Sequence, residues 1–196
     1  MQYKKDEIRL KILLEAEKEF LEKGFDGASL RKIVKKAGTS IGNFYNYFEN
    51  KEELFEELVK EEYTNLIYFL KNHNGVEAPN FNDILKEDQW KTILASTLYE
   101  MIPRLSNSFV LLFESSKGTK FENIRQEIVK ILKEHFIEHM LDKGLKYLNI
   151  AFADLVAEQC LNGIIYIIKK HKDVDVRKKL IVEHLMFYII GVMSLC

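Results

Sequence analysis

The chain has 196 residues, of which 47% are hydrophobic and 30% charged, and a formal net charge of −1. Such a balance excludes a disordered or fibrous chain and leaves length for one large or two modest globular domains. Two prolines, nine glycines and an abundance of Lys, Glu, Leu and Ile favour helices over sheet.

In chain order, Ile8, Ile12, Leu13, Ala16 and Phe20 recur at helical spacing, and Gly24 is placed to end that first helix. Ser29 can cap a second helix whose apolar positions Leu30, Ile33, Val34 and Ala37 fall at i, i+3, i+4 and i+7. Gly38 stops it. Ser40 can cap a short third helix from Ile41 to about Phe48, and Asn50 with Glu53 forms a capping-box-like start for a long fourth. That helix carries Leu54, Phe55, Leu58, Val59, Leu66, Ile67 and Leu70 in register and runs out at HNGVEAPN. Further helical segments are expected at 82–102 (with a break near 87–89 and a stop at Pro103), 105–114, 121–143, 150–171 and 175–195. SSKGTK reads as a loop and KGLKYLN as a turn. The expectation is an all-α chain, with a short N-terminal helical domain over residues 1–50 and a larger helical body over 51–196.

Charge is unevenly distributed. Residues 1–51 carry eleven Lys/Arg against eight Asp/Glu, and no acidic residue lies between Asp26 and Glu49. Arg31, Lys32, Lys35 and Lys36 fall in that gap, which suits a phosphate-binding surface as well as a plain solvated helix face. Two helices joined by a tight Gly-containing turn, the second short, form a helix-turn-helix whose second helix enters the major groove. On a helical wheel Phe44 and Phe48 share an inward face, while Gly42, Asn43, Tyr45 and Asn46 spread over the rest. Gly42 has no side chain to hold the helix off DNA, and Asn43 and Asn46 both donate and accept, as base reading requires. Tyr45 and Tyr47 offer hydroxyls to phosphate and ring faces to thymine methyls, and Lys51 adds charge beside them.

The residues Ile12, Ala16, Phe20, Gly24-Phe25, Ser29, Ile33, Ala37-Gly38, Ser40, Gly42, Tyr45, Tyr47-Phe48 and Lys51-Glu52-Leu54 together resemble the DNA-binding domain of the TetR family of bacterial transcriptional regulators. Val34 stands where that family usually has Ala, and Thr39 where it usually has Val. The resemblance implies phosphate contacts at Ser29, Tyr45, Tyr47 and Lys51, and base reading at Arg31, Ile41, Gly42 and Asn43. It further implies a homodimer built on the last two helices, whose apolar runs LVAEQCLNGIIYII and LIVEHLMFYIIGVM are wider than one core-facing stripe needs. The large side chains of the body, Trp90, Tyr99, Met101, Phe109, Phe113 and Phe136, are core or the lining of an effector cavity.

Two other readings stand beside this one. His135, Glu138 and His139 spell H-x-x-E-H, the pattern of a small helical zinc metalloenzyme, although a third ligand and a cleft would also be needed. A helical interaction module without DNA binding is the other, and it leaves the Asn and hydroxyl choices of the third helix without a purpose. The expected protein is a repressor, not an enzyme, with no cofactor, metal or catalytic residue. It binds a double-stranded operator and is released by a small apolar or amphipathic effector. Two isolated cysteines, Cys160 and Cys196, indicate a reducing compartment, and the opening MQYKKDEIRLK has no apolar signal core. No uncharged apolar run approaches the ~18 residues of a membrane span, so a cytoplasmic location is expected.

Overall fold

The computed structural model describes residues 2–72, 87–102, 105–142 and 149–194, and these form helices without any strand. They divide into two compact units, one of residues 1–64 with 107–125 and one of residues 65–106 with 126–196. The boundary expected at residue 50 therefore falls inside the first unit.

In the first unit α1 (Gln2–Gly27) is interrupted at Gly24, whose φ of 69° and ψ of 170° end the long straight portion. α2 (Leu30–Lys36) buries Ile33 and Val34. Its end is a complete Schellman motif: Thr39 N–H donates to Val34 O at 2.9 Å and Gly38 N–H to Lys35 O at 3.2 Å. That motif requires a left-handed residue, and Gly38 supplies it at φ 72°. The chain restarts at once in α3 (Ile41–Phe44), where Ser40 Oγ accepts from the N–H of Asn43 at 3.2 Å.

The third helix is shorter than the sequence suggests, closing at Phe44 rather than Phe48. Beyond it the N–H groups of Asn46 and Tyr47 donate three residues back, to Asn43 O and Phe44 O, so the backbone tightens into 3₁₀-like turns. Phe48 N–H still donates four residues back, to Phe44 O at 3.1 Å, and the two rings stack 5.5 Å apart, both buried, as their spacing leads one to expect. α4 (Lys51–Asn72) starts on the expected box: Glu53 N–H donates to Asn50 Oδ1 at 2.8 Å, and the Glu53 carboxylate accepts from the N–H of Glu49. The core of this unit is the ring cluster Phe20, Phe25 and Phe55, with centroids 5.2–5.9 Å apart.

α6 (Asn107–Glu114) belongs to the same unit and packs on α1. It buries all of Phe109 to Phe113. Ser115 O accepts from the N–H of Phe25 at 2.9 Å, Asn107 Nδ2 donates to Glu17, and Phe121 meets Tyr63 at 5.3 Å and Phe55 at 6.5 Å.

The second unit contains α5 (Glu87–Met101), most of α7 (Ile124–Asp142), α8 (Ile150–Lys170) and α9 (Val174–Ser194). α9 packs on both α8 and α5. Phe136 of α7 and Ala153, Val156, Ala157 and Cys160 of α8 form one buried cluster, with Leu185 and Tyr188 of α9 against it. α8 and α9 are keyed together by a close approach. His184 Nε2 donates to Cys160 O at 2.9 Å, and a Cβ on Gly163 would lie 2.1 Å from His184 Cε1. By length and composition α8 could cross a membrane, but its inward face is core against α9, and Asp154 and Glu158 interrupt it. Residues 82–86 of the expected 82–102 helix and 143–148 of the expected turn lie outside the described residues.

Candidate nucleic-acid interface

The outer surface of the first unit collects the residues singled out in the sequence. Arg31, Lys32, Lys35 and Lys36 are all exposed on α2. Lys36 reaches 3.6 Å towards the carboxylate of Glu19, which is itself buried, so the other three cations dominate that face. On α3 and the turns after it, Gly42, Tyr45 and Asn46 are exposed and Ile41, Asn43 and Tyr47 are half-buried, above the buried Phe44 and Phe48. Tyr45, 57% exposed, meets Phe44 in a T-shaped pair with ring centroids 5.4 Å apart. The surface therefore offers a rigid floor of rings below and donors, acceptors and phenols above.

Several sequence assignments change in detail. Ser29 occupies the N-cap position of α2, but its side chain makes no capping bond. The buried Glu19 carboxylate instead holds the cap residue itself, accepting the Ser29 N–H at 3.4 Å. Ser40, by contrast, is a true side-chain cap. Lys51 is more than a surface cation. Its Nζ donates to Phe25 O at 2.7 Å and to Ala28 O at 3.3 Å, and sits 4.4 Å over the Phe25 ring. Two of its three donors thus close the α1–α2 connection, and the third remains for an outside acceptor.

Sequence reasoning missed three participants. Glu19 was legible only as an acid among the inward positions of α1. Thr39, whose hydroxyl accepts from Asn43 Nδ2 at 2.8 Å, was seen only as a departure from Val. The N-terminal cations were not singled out at all: Arg9 pairs with Glu57 at 2.6 Å and lies 5.3 Å over Phe48, and Lys5 lies 5.9 Å over Tyr47.

The body residues do not form one group. Phe109 and Phe113 belong to the first unit, 4.6 Å apart and buried. Phe136 is buried in the second unit, where Tyr99 and Met101 are half-buried on α5 and Lys178 Nζ lies 4.5 Å over the Tyr99 ring. The Trp90 side chain lies outside the described residues. So does that of His139, while Glu138 is exposed and the His135 ring lies 6.3 Å from Phe136. Among the described residues no group of three or more His, Cys, Asp or Glu is gathered to hold a metal ion.

Residues 12–58 match the sequence profile described as bacterial regulatory proteins, tetR family. The uncharacterized HTH-type transcriptional regulator YvdT of Bacillus subtilis (strain 168) is 31% identical over 141 residues, 69% of this chain and 70% of that one. The chain belongs to the tetR family. The uncharacterized HTH-type transcriptional regulator YdgC of the same organism is 28% identical over 169 residues, 84% of this chain and 80% of that one. The crystal structure of a TetR family transcriptional regulator from Chloroflexus aurantiacus J-10-FL has the same fold, with a TM-score of 0.60 at 15% identity over 95% of this chain and 93% of that one. Membership makes this tetR-family chain a helix-turn-helix DNA-binding transcriptional regulator and not an enzyme. The H-x-x-E-H reading is thereby displaced, because the family supplies a function that uses no catalytic zinc.

Proposed function

We propose that this tetR-family regulator is a cytoplasmic homodimeric repressor that binds a pseudo-palindromic operator and leaves it when a small apolar or amphipathic molecule binds. The observation that carries the DNA half is the row Gly42, Asn43, Tyr45 and Asn46, exposed apart from the half-buried Asn43, held over the stacked Phe44–Phe48 pair beside the exposed Arg31, Lys32 and Lys35 of α2. In this reading Arg31, Ile41, Gly42, Asn43 and Asn46 face base edges, and Ser29, Tyr45, Tyr47 and the free donor of Lys51 meet phosphates. Ser40 serves from behind as a cap.

The homodimer reading is supported by the outward faces of α8 and α9. Leu155, Tyr166 and Phe187 are exposed there, the last at 73%, beside the side-chain-free Gly191. Isolated apolar side chains need no explanation, but a collection of large ones on the last two helices is what a partner copy would cover. Ile165, by contrast, is buried in its own unit and supports the fold rather than the partner contact.

Release is assigned to α4, which passes from residue 51 at the Lys51 clamp to Asn72 within the body's sequence. A ligand that binds among the body's aromatics and displaces α4 would change the spacing of two recognition helices, which must stand about 34–36 Å apart on successive major grooves. A hundredfold loss of operator affinity needs a differential of about 2.7 kcal/mol between the two states. The test begins with selection of bound duplexes from a random pool, which should return a pseudo-palindrome. Titration of a releasing compound with and without that operator then checks the linkage. A non-palindromic consensus would overturn the dimer reading, and equal compound affinities would overturn the release mechanism.

A further inference from the structure

The recognition turn carries a ladder of side chains that the DNA reading does not by itself require. Asn43 Nδ2 donates to Thr39 Oγ1 at 2.8 Å, and Asn46 Nδ2 donates to Asn43 Oδ1 at 3.0 Å. The backbone of Asn43 is held as well, its N–H donating to Ser40 Oγ at 3.2 Å. A primary amide has two N–H donors and two acceptor lone pairs. The ladder engages one of each on Asn43 and leaves one of each. A remaining N–H and a remaining lone pair in one plane are what a bidentate contact to adenine uses, the N–H on N7 and the oxygen on the N6 amine.

We infer that Thr39 is a specificity-positioning residue. Its hydroxyl, with Asn46 on the other side, fixes the plane of the Asn43 amide before DNA arrives. The inference rests on the reading of Asn43 as a base contact. Thr39 itself need touch no base. It sits at the last link of the Schellman motif, where its N–H is tied to Val34 O, so its own backbone cannot shift to follow a loose partner. An unheld amide would have to be ordered at binding, and ordering one side chain costs about two- to tenfold in affinity. A valine at this position fills the same space and accepts nothing, so the hydroxyl is the whole difference.

The test uses the full chain and three variants, Thr39→Val, Thr39→Ser and Asn43→Ala. In the free protein, Thr39→Val should shift the side-chain amide resonances of Asn43 and speed their exchange with solvent, and Thr39→Ser should restore both. On the operator selected from a random pool, Thr39→Val should weaken binding about two- to tenfold and flatten preference at the base pair that Asn43→Ala affects. Affinity for a scrambled duplex and the thermal midpoint should stay at wild-type values. Placed on Asn43→Ala, Thr39→Val should add nothing. If Asn43→Ala alters base preference and Thr39→Val does not, the base reading stands and the positioning role is overturned. If Asn43→Ala changes no preference, both fall. Equal losses on operator and scrambled duplex, or a lowered midpoint, would show Thr39 to be merely structural and overturn the inference.

Discussion

Replacing Gly163 by alanine tests the key between α8 and α9. In the middle of a helix this change ordinarily stabilises by about 1 kcal/mol, because glycine is the poorer helix former. Here the added methyl would stand 2.1 Å from Cε1 and 2.2 Å from Nε2 of His184, inside any allowed contact. The imidazole must leave. It then gives up the bond to Cys160 O at 2.9 Å and the edge contact with Tyr188 at 5.0 Å. A lost hydrogen bond of about 1 kcal/mol and an overpacking cost of about 1–3 kcal/mol outweigh the propensity gain, so Gly163→Ala should destabilise by about 1–3 kcal/mol net. In a His184→Ala background the obstacle is gone, and the same change should stabilise by about 0.5–1 kcal/mol. The sign therefore inverts between backgrounds, a coupling well beyond the ~0.5 kcal/mol non-additivity of independent sites. Urea unfolding of the four proteins at one fixed concentration reads it directly. A Gly163→Ala change that is equally harmful in both backgrounds would show that His184 is not what fills the notch.

Lys51→Met should lower stability by about 1–3 kcal/mol, because the Phe25 and Ala28 carbonyls lose a charged donor, and should flatten the log–log salt dependence of operator binding by ~0.9 per subunit. An unchanged unfolding midpoint would deny the clamp. Burial pushes the Cys160 thiol from 9.0 up to about 12. A folded value above the unfolded one means that stability present below pH 9 is lost as pH climbs towards 12, with a slope of up to ~1.4 kcal/mol per pH unit. Cys160→Ala should remove that slope and leave Tyr188 raised by burial of its phenol alone, without the part that the Cys160 charge causes, and an unaltered alkaline profile would refute the assignment. If the proposed homodimer forms through the outward faces of α8 and α9, Phe187→Glu should leave the chain monomeric by sedimentation at micromolar concentration, without lowering the unfolding temperature of the monomer itself. A dimer that persists unchanged would place the contact elsewhere.

What the sequence made legible was local. Gly24, Gly38, Ser40 and the Asn50–Glu53 box act within six residues of themselves, so turn and capping chemistry located them before any fold was known. Phe44 and Phe48 were legible as an inward pair because four-residue spacing keeps one face of an α-helical turn, and the N–H of Phe48 still donates four residues back to Phe44 O. The end of α3 was not, since the choice between two helical pitches depends on how those rings stack in the assembled core. Roles that join distant parts were hidden for the same reason. Lys51 reaches back twenty-six residues to Phe25, and nothing in its neighbourhood announces a carbonyl there. Glu19 reads as one more acid of a charged helix until α2 is laid against it. α6 is the largest such surprise: its run of five buried residues fits any core, and only the folded chain assigns it to α1.

That assignment of α6 has a consequence in time. The first unit is assembled from two stretches, residues 1–64 and 107–125, so its last members are made long after its first. A chain that has grown only to residue 64 has no Ser115 carbonyl for Phe25 and no Phe121 ring for Phe55 and Tyr63. At a synthesis rate of about 5–20 residues per second, the intervening length takes the ribosome several seconds. The link from 64 to 107 must then close as a loop, a requirement that grows only logarithmically with its length. The residues of the recognition turn are all made before that link, so the turn emerges well before the Phe20–Phe25–Phe55 core of its unit receives its last partners.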